Sequence, residues 1–465
     1  MIKKFIALAL CLSVLLSVAA CGGDNPGGNG GNNGEVKFYE YADDKEIFLS
    51  GYLQSWEING EQFKWVKESG INHYYINLSS TVSRMSASLE YCDQFGLKAI
   101  PMTCWGSNDK KSFTEHPLDA TIRDYERFDG YNILDEPRVE DYDWLAEEYA
   151  KFSTAHPDKV FYTNLLRPGN PSNNFSYDRK IDYDTYVGEF VEKVVSPIQG
   201  KKVMSMTLYP MLIDAATREK SIMDSHLTDL GRFARVCGEA GADMYHFVQA
   251  VSFKNHHVPS EADIRFQIYS GMAFGTKGFQ YFTFGTPQTN HEFSTQDYAM
   301  INPDNQRTTI YYGVQKVNRE LSKFDHVYLN FERESIMLVD GQTSSTEPEE
   351  FILYRANSSL PVTESTALVS EVSASRDTLI GVLKDKTNGR DGYVVVNYTV
   401  PSKNLSDTVN MKINASAVMV YVGGEEYRIK SGEEITAGDK TVSFKRGVLN
   451  VNLDAGEGIF VIPVV

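Results

Sequence analysis

Cysteine, positive charge and long apolar runs are all scarce in this sequence, and each scarcity excludes something. Five cysteines are spread over 465 residues. Cys11 lies in an N-terminal leader and Cys21 at its end, which leaves Cys92, Cys104 and Cys237. Three thiols build no disulfide framework, and their spacing matches no zinc pattern, so buried free cysteines are expected. Lys and Arg total 45 against 62 Asp and Glu, a formal charge of -17. That balance excludes the basic surface that nucleic acid requires. The longest N-terminal apolar run, Phe5 to Val18, is too short for a comfortable transmembrane helix. No Gly-x-Gly-x-x-Gly follows the first strand, which argues against a doubly wound nucleotide fold. Nine histidines include the adjacent pair His256-His257 and a later His291, but no third ligand at defined spacing, so neither metal nor cofactor is expected.

The composition itself is that of a folded protein: 42% of residues are apolar and 12% aromatic. The leader has Lys3-Lys4, the apolar run and then Val18-Ala19-Ala20-Cys21. This ending resembles the bacterial lipoprotein box, and the resemblance implies cleavage before Cys21, lipidation of its thiol and a place in the cell envelope, on the outer membrane or cell surface. A plain secretory peptide would still export the chain. Residues 1–20 then form the signal and 21–44 the tether, whose "GGDNPGGNGGNNGE" buries no core.

From residue 47 short apolar runs alternate with helical periodicity about eight times. "IFLSGYL", "HYYINL", "LKAIPMT" and "GYNIL" are the first four expected strands; "VFYTNL", "VMSMTLY", "MYHFV" and "GFQYFTF" are the second four. Nearly continuous apolar runs suit parallel strands covered on both faces. Between them, Tyr142, Leu145, Ala146, Tyr149 and Phe152 share a helical face, as do Leu227, Leu230, Ala234 and Cys237. Gly70, Gly96 and Gly241 follow helices where a left-handed cap fits. Eight such units over roughly 280 residues predict a (β/α)8 TIM barrel across 45–325. After "TIYYGVQKVNRELSKF" the pattern changes to runs such as "ESIMLVD", "EFILYR", "TLIGVLKD", "GYVVVNYTV", "AVMVYVGG", "KTVSFKRG" and "GIFVIPVV". They read as strands without an intervening helix, so 326–465 is expected to be an antiparallel β-sandwich.

Barrels place chemistry just past the C-terminal ends of their strands. There the fourth strand offers Asp135-Glu136-Pro137. One acid before a helix would serve as a cap, but two acids followed by proline fit capping poorly. The stretch Gly130 to Pro137 resembles the fourth-strand motif of the clan A glycoside hydrolases, retaining barrel enzymes with an Asn-Glu pair, and is similar to the "DEP" variant among relatives of the β-galactosidases. The terminal "LDAGEGIFVIPV" also looks like the closing strand of many such enzymes. The resemblance implies a carbohydrate substrate, Glu136 as general acid and base, and Asp135 in the place of an asparagine that touches the sugar's 2-hydroxyl. Like charge at Asp135 would raise the pKa of Glu136, which suits an acid.

The resemblance also implies a nucleophilic glutamate at the tip of the seventh strand, where "MYHFVQAVSF" has Gln249. Three readings stay open. Another acid serves, from among Glu57, Asp109, Asp182, Asp184, Asp214 and Glu292; or the barrel has lost hydrolysis and binds glycans; or the seventh strand is misaligned. Tyr209 ends the sixth strand, where the family often has a tyrosine beside the nucleophile, and would face Gln249 or the sugar. Trp56 and Trp105 follow strands one and three and suit stacking on sugar C–H faces. Trp65 and Trp144 fall in helical stripes and read as core, and His246 as a hydrogen-bonded core residue. Arg138 either offsets the acidic pair or starts the helix. The long polar segment Gly285 to Ile310 is a candidate lid or a mobile insertion.

Overall fold

The computed structural model describes residues 36–52, 58–77, 81–102, 110, 112, 121, 122 and 124–465. The leader, residues 21–35 of the expected tether (Cys21 among them), Trp56, Glu57, Cys104, Trp105 and Asp109 lie outside them. From Val36 onward the described residues form one compact unit.

Eight parallel strands close a barrel: β1 (Phe48–Gly51), β2 (His73–Asn77), β3 (Lys98–Met102), β4 (Gly130–Asp135), β5 (Val160–Leu165), β6 (Val203–Met206), β9 (Asp243–Gln249) and β10 (Gly278–Phe282). Between β6 and β9 the chain inserts a two-stranded hairpin, β7 (Met211–Ile213) and β8 (Lys220–Ile222). The alternation along each strand sorts its side chains. Tyr245 and Phe247 join Phe48, Tyr75, Ile100 and Tyr162 in the barrel interior, while Met244 and Val248 face the helices. His246 also points outward, bonded to Thr276 Oγ1 at 3.2 Å and packed edge-on to Phe279.

The expected helical stripes are present in the helices Tyr142–Ala155 and His226–Ala240. Gly96 and Gly241, at φ of 65° and 64°, cap helices in the left-handed region where a Cβ would be strained. Gly130 has a different reason: a Cβ there would lie 1.7 Å from the carbonyl oxygen of Val160.

Beyond the barrel, two antiparallel sheets of six and five strands enclose a separate apolar core that includes Val395, Val409, Val420, Phe444 and Val461. One expectation fails here. "EFILYR" belongs to a helix, Glu349–Ala356. Its β-favouring residues hide a helical logic: Pro348 precedes it, Glu349 and Glu350 open it, Arg355 closes it, and Phe351 and Tyr354 bury one face three residues apart. The barrel helix Glu261–Ala273 is buried nearly all round and packs on the sandwich strands Thr378–Asp385 and Asp391–Asn397. Contact is close enough that a Cβ on Gly381 would lie 2.3 Å from the Ala273 carbonyl oxygen.

Candidate active site

The fourth strand does not end smoothly. Its pairing with β5 shifts register between Asn132 and Asp135, and Leu134 and Glu136 take left-handed backbone angles, φ of 56° and 47°. Non-glycine residues occupy that region at a cost, and such strain gathers where a side chain must be aimed. The Glu136 amide donates to the Asn164 carbonyl at 2.9 Å, which fixes the turn.

Both acids are half-buried but differ in partners. Asp135 accepts from Asn164 Nδ2 at 3.0 Å and from the Tyr52 hydroxyl at 3.2 Å. Asn164 accepts in turn from Ser205 Oγ at 3.1 Å, Ser205 from Gln280 Nε2 at 2.6 Å, and Gln280 from Tyr162 at 2.8 Å and also from Tyr75. Five strands, with Tyr52 just past the end of β1, thus contribute to one polar chain that locks the Asp135 carboxyl. Among the described residues Glu136 has a single side-chain bond, from Thr207 Oγ1 at 3.2 Å.

Burial pushes the Asp135 carboxyl above its ordinary range, against the pull of the Asn164 and Tyr52 bonds. Glu136 is pushed up to about 7, first by burial and then by the neighbouring Asp135 charge; Glu292 adds to the rise, while Thr207 and Arg138 oppose it. A carboxyl poised there holds its proton at neutral pH and can also return it, as acid–base chemistry requires. Arg138 thus acts on Glu136 electrostatically, and its guanidinium lies over Tyr177.

Tyr209 lies in the same field. Burial and the charges of Glu136, Asp135 and Glu292 keep its phenol well above the ordinary range. Its ring stacks on Phe282 at 4.9 Å and meets Phe253 edge-on at 5.5 Å. Phe293 joins this apolar cluster at the barrel mouth, 5.7 Å from Phe253.

Gln249 does different work from that expected of it. It is fully buried; its side-chain oxygen accepts from Met211 N at 3.2 Å, and its amide donates to the His257 carbonyl at 2.9 Å. It ties the β7–β8 hairpin to the segment after β9. With both polar atoms engaged by backbone and no surface exposed, it offers nothing to a sugar.

The candidate second acids also separate. Asp182 caps the helix Tyr183–Phe190 through Thr185 N, Asp184 pairs with Arg232 and Arg235, and Asp214 holds a turn through Thr217 N. Glu292 alone among the described candidates acts on Glu136 and Tyr209. Its loop is pinned at both ends: Asn290 Oδ1 accepts from Glu292 N and Phe293 N, and Asp297 accepts from Ser252 Oγ at 2.7 Å and Ser294 N at 2.7 Å. Lys254, itself in the left-handed region, donates to Glu292 at 2.8 Å. Among the described residues no three His, Cys, Asp or Glu side chains gather as a metal site.

Sequence reasoning passed over Tyr52, Asn164, Thr207 and Lys254. Thr207 had a signal: it lies two residues before Tyr209, at the tip of the sixth strand.

No protein-family model matches the chain, and no curated protein matches it. Its fold has likenesses among solved glycoside hydrolases. The catalytic module of a family 98 glycoside hydrolase from Streptococcus pneumoniae is similar at 7% identity and TM-score 0.45, covering 91% of this chain and 99% of that one. An Anoxybacillus alpha-amylase is similar at 10% identity and TM-score 0.43, covering 90% and 96%. An endo-beta-1,4-mannanase from Thermotoga petrophila is similar at 9% identity and TM-score 0.41, covering 89% and 92%. Likenesses this distant carry no argument about residues or substrates.

Proposed function

We propose that the chain is an exported, lipid-anchored glycoside hydrolase acting on a poly- or oligosaccharide, with Glu136 as general acid and base. The observation that carries this reading is the state of Glu136: a half-buried carboxyl on a strained turn at the tip of β4, with its pKa raised to about 7 by burial and by Asp135. Protonated Glu136 gives its proton to the glycosidic oxygen as the bond from that oxygen to the anomeric carbon breaks and its electron pair stays on oxygen. Glu292 is the second carboxylate in this reading, because its charge reaches Glu136 and Tyr209. It either attacks the anomeric carbon or takes a proton from the water that does. In the first case Glu136, now ionised, deprotonates the water that releases the sugar. Asp135, held by Tyr52 and Asn164, accepts from a ring hydroxyl, and the Tyr209 and Phe282 rings supply an apolar wall.

The stereochemistry of the product decides between the two roles of Glu292, since retention needs the carboxyls about 5 Å apart and inversion roughly 6.5–9.5 Å. An oligosaccharide panel with product analysis for wild type, Glu136→Gln and Glu292→Gln tests the whole reading. Sugar release that falls by about 10²-fold or more in each variant is expected. Release unaffected by Glu136→Gln ends the proposal.

A second reading is a glycan-binding lipoprotein without hydrolysis, and Gln249 favours it, since the seventh-strand tip has an amide tied into the frame. Saturable binding of a glycan with no product from wild type is the result that selects it. The anchor is tested separately: Cys21→Ser is expected to abolish lipid labelling and move the protein from the membrane to the soluble fraction.

A further inference from the structure

The seam between barrel and sandwich contains a cavity built from elements other than those that carry Glu136. Its volume is about 380 Å3. The turn around Ser345, the start of the helix Glu349–Ala356 and the segment from Tyr398 to Lys403 enclose it, and Ile222 of the barrel's hairpin closes one side.

Glu350 is the feature that needs explaining. It is only 9% exposed, it lines the cavity, and no other residue among those described donates a hydrogen bond to its carboxyl. Its own backbone amide is the one donor that reaches it among the described residues, and a carboxyl this buried with a single donor is under-satisfied. Its place in the first turn of a helix does not account for it, since the helix dipole alone would favour the charged form. Burial, with Asp224, Glu349 and Asp377 acting in the same sense, pushes it up to about 7 against the bond from its own amide. Asp377 makes the contrast. Its oxygens accept from Gly341 N and Ser344 Oγ, both at 2.9 Å, and belong to the frame.

The rest of the lining narrows the ligand. Arg376 and Lys403 face the cavity with side chains that make no ion pair or hydrogen bond among the described residues, and the hydroxyls of Ser345 and Thr346 are likewise uncommitted. Ile222 and Val400 add an apolar wall. Acceptors, donors and a wall for C–H groups in a space of this size fit a ring with hydroxyls on its edge and hydrocarbon on its faces.

We propose that this seam cavity is a binding site for a neutral sugar unit, distinct from the barrel mouth, with Glu350 accepting from its hydroxyls and Arg376 and Lys403 donating to them. It goes beyond hydrolysis and would stand if the chain only bound glycans.

The test uses the full chain carrying Glu136→Gln, so that nothing is turned over. Glucose, galactose, mannose, xylose and fucose are titrated singly, with hydrogen exchange followed across 343–355 and 398–405. At least one sugar is expected to protect those segments, and Glu350→Leu to weaken its binding about tenfold or more, equivalent to about 1.4 kcal/mol. Thr346→Val, an isosteric change at the rim, is expected to weaken it less and serves if the leucine variant does not fold. Protection confined to the barrel loops, no protection with any of the sugars, or binding unchanged by both variants would overturn the proposal. The first of these outcomes would leave the reading of Glu136 intact.

Discussion

Glu136 and Asp135 are neighbours in sequence with opposite tasks, and the difference lies in what bonds them. Asp135 is held by two donors and Glu136 by one hydroxyl, so only Glu136 is free to move a proton. Thr207→Val removes the bond that lowers the Glu136 pKa. The alkaline limb of the pH–rate profile is expected to shift upward by roughly half a unit to one unit, with little change in KM. Stability carries the same signature. A carboxyl whose folded pKa lies above its unfolded value is held protonated more strongly by the folded state, so stability falls as pH rises from 4.5 to about 7. Glu136→Gln is therefore expected to stabilise the protein by roughly 1–3 kcal/mol at about pH 8 and hardly at all at about pH 4. Thermal unfolding at the two pH values measures it.

Among the elements, the barrel strands were legible because buried parallel strands leave continuous apolar runs between helical stripes. Polarity hid much of the rest. The strands Asp407–Ile413 and Val448–Leu453 alternate buried with more exposed residues, Glu425–Lys430 buries only Ile429, and all three were passed over. The helix Glu349–Ala356 was misread because Phe351, Ile352 and Tyr354 favour strands, while Pro348 and the paired glutamates set a helix. At the site, Glu136 was legible from its motif. The bonds that define its state were not, because Tyr52, Asn164 and Thr207 lie on or just past three other strands. Gln249 shows the limit of alignment to a motif: its position was found, but its work as a tie depends on an inserted hairpin. Gln249→Glu is expected to cost about 2–4 kcal/mol, since the oxygen that replaces the amide nitrogen would face the Met211 and His257 carbonyls without a donor. Urea denaturation tests this, and no gain of activity should accompany it.

For the whole molecule, barrel and sandwich are built as one body. The helix Glu261–Ala273 is covered by the barrel on one side and the sandwich on the other. A chain truncated after residue 325 would expose that surface, and it is expected to aggregate instead of remaining as a soluble barrel; size exclusion of the truncated form decides. The net charge of -17 keeps such a body soluble and suits uncharged partners. The account rests most on one carboxyl, and its titration can be observed directly. Carbon-13 chemical shifts of the glutamate carboxyls, with Glu136 assigned by its loss in Glu136→Gln, give its midpoint in the folded chain. A midpoint near 7 is predicted. A midpoint in the ordinary carboxyl range would mean that Glu136 is ionised at neutral pH, and its role as the proton donor would not stand.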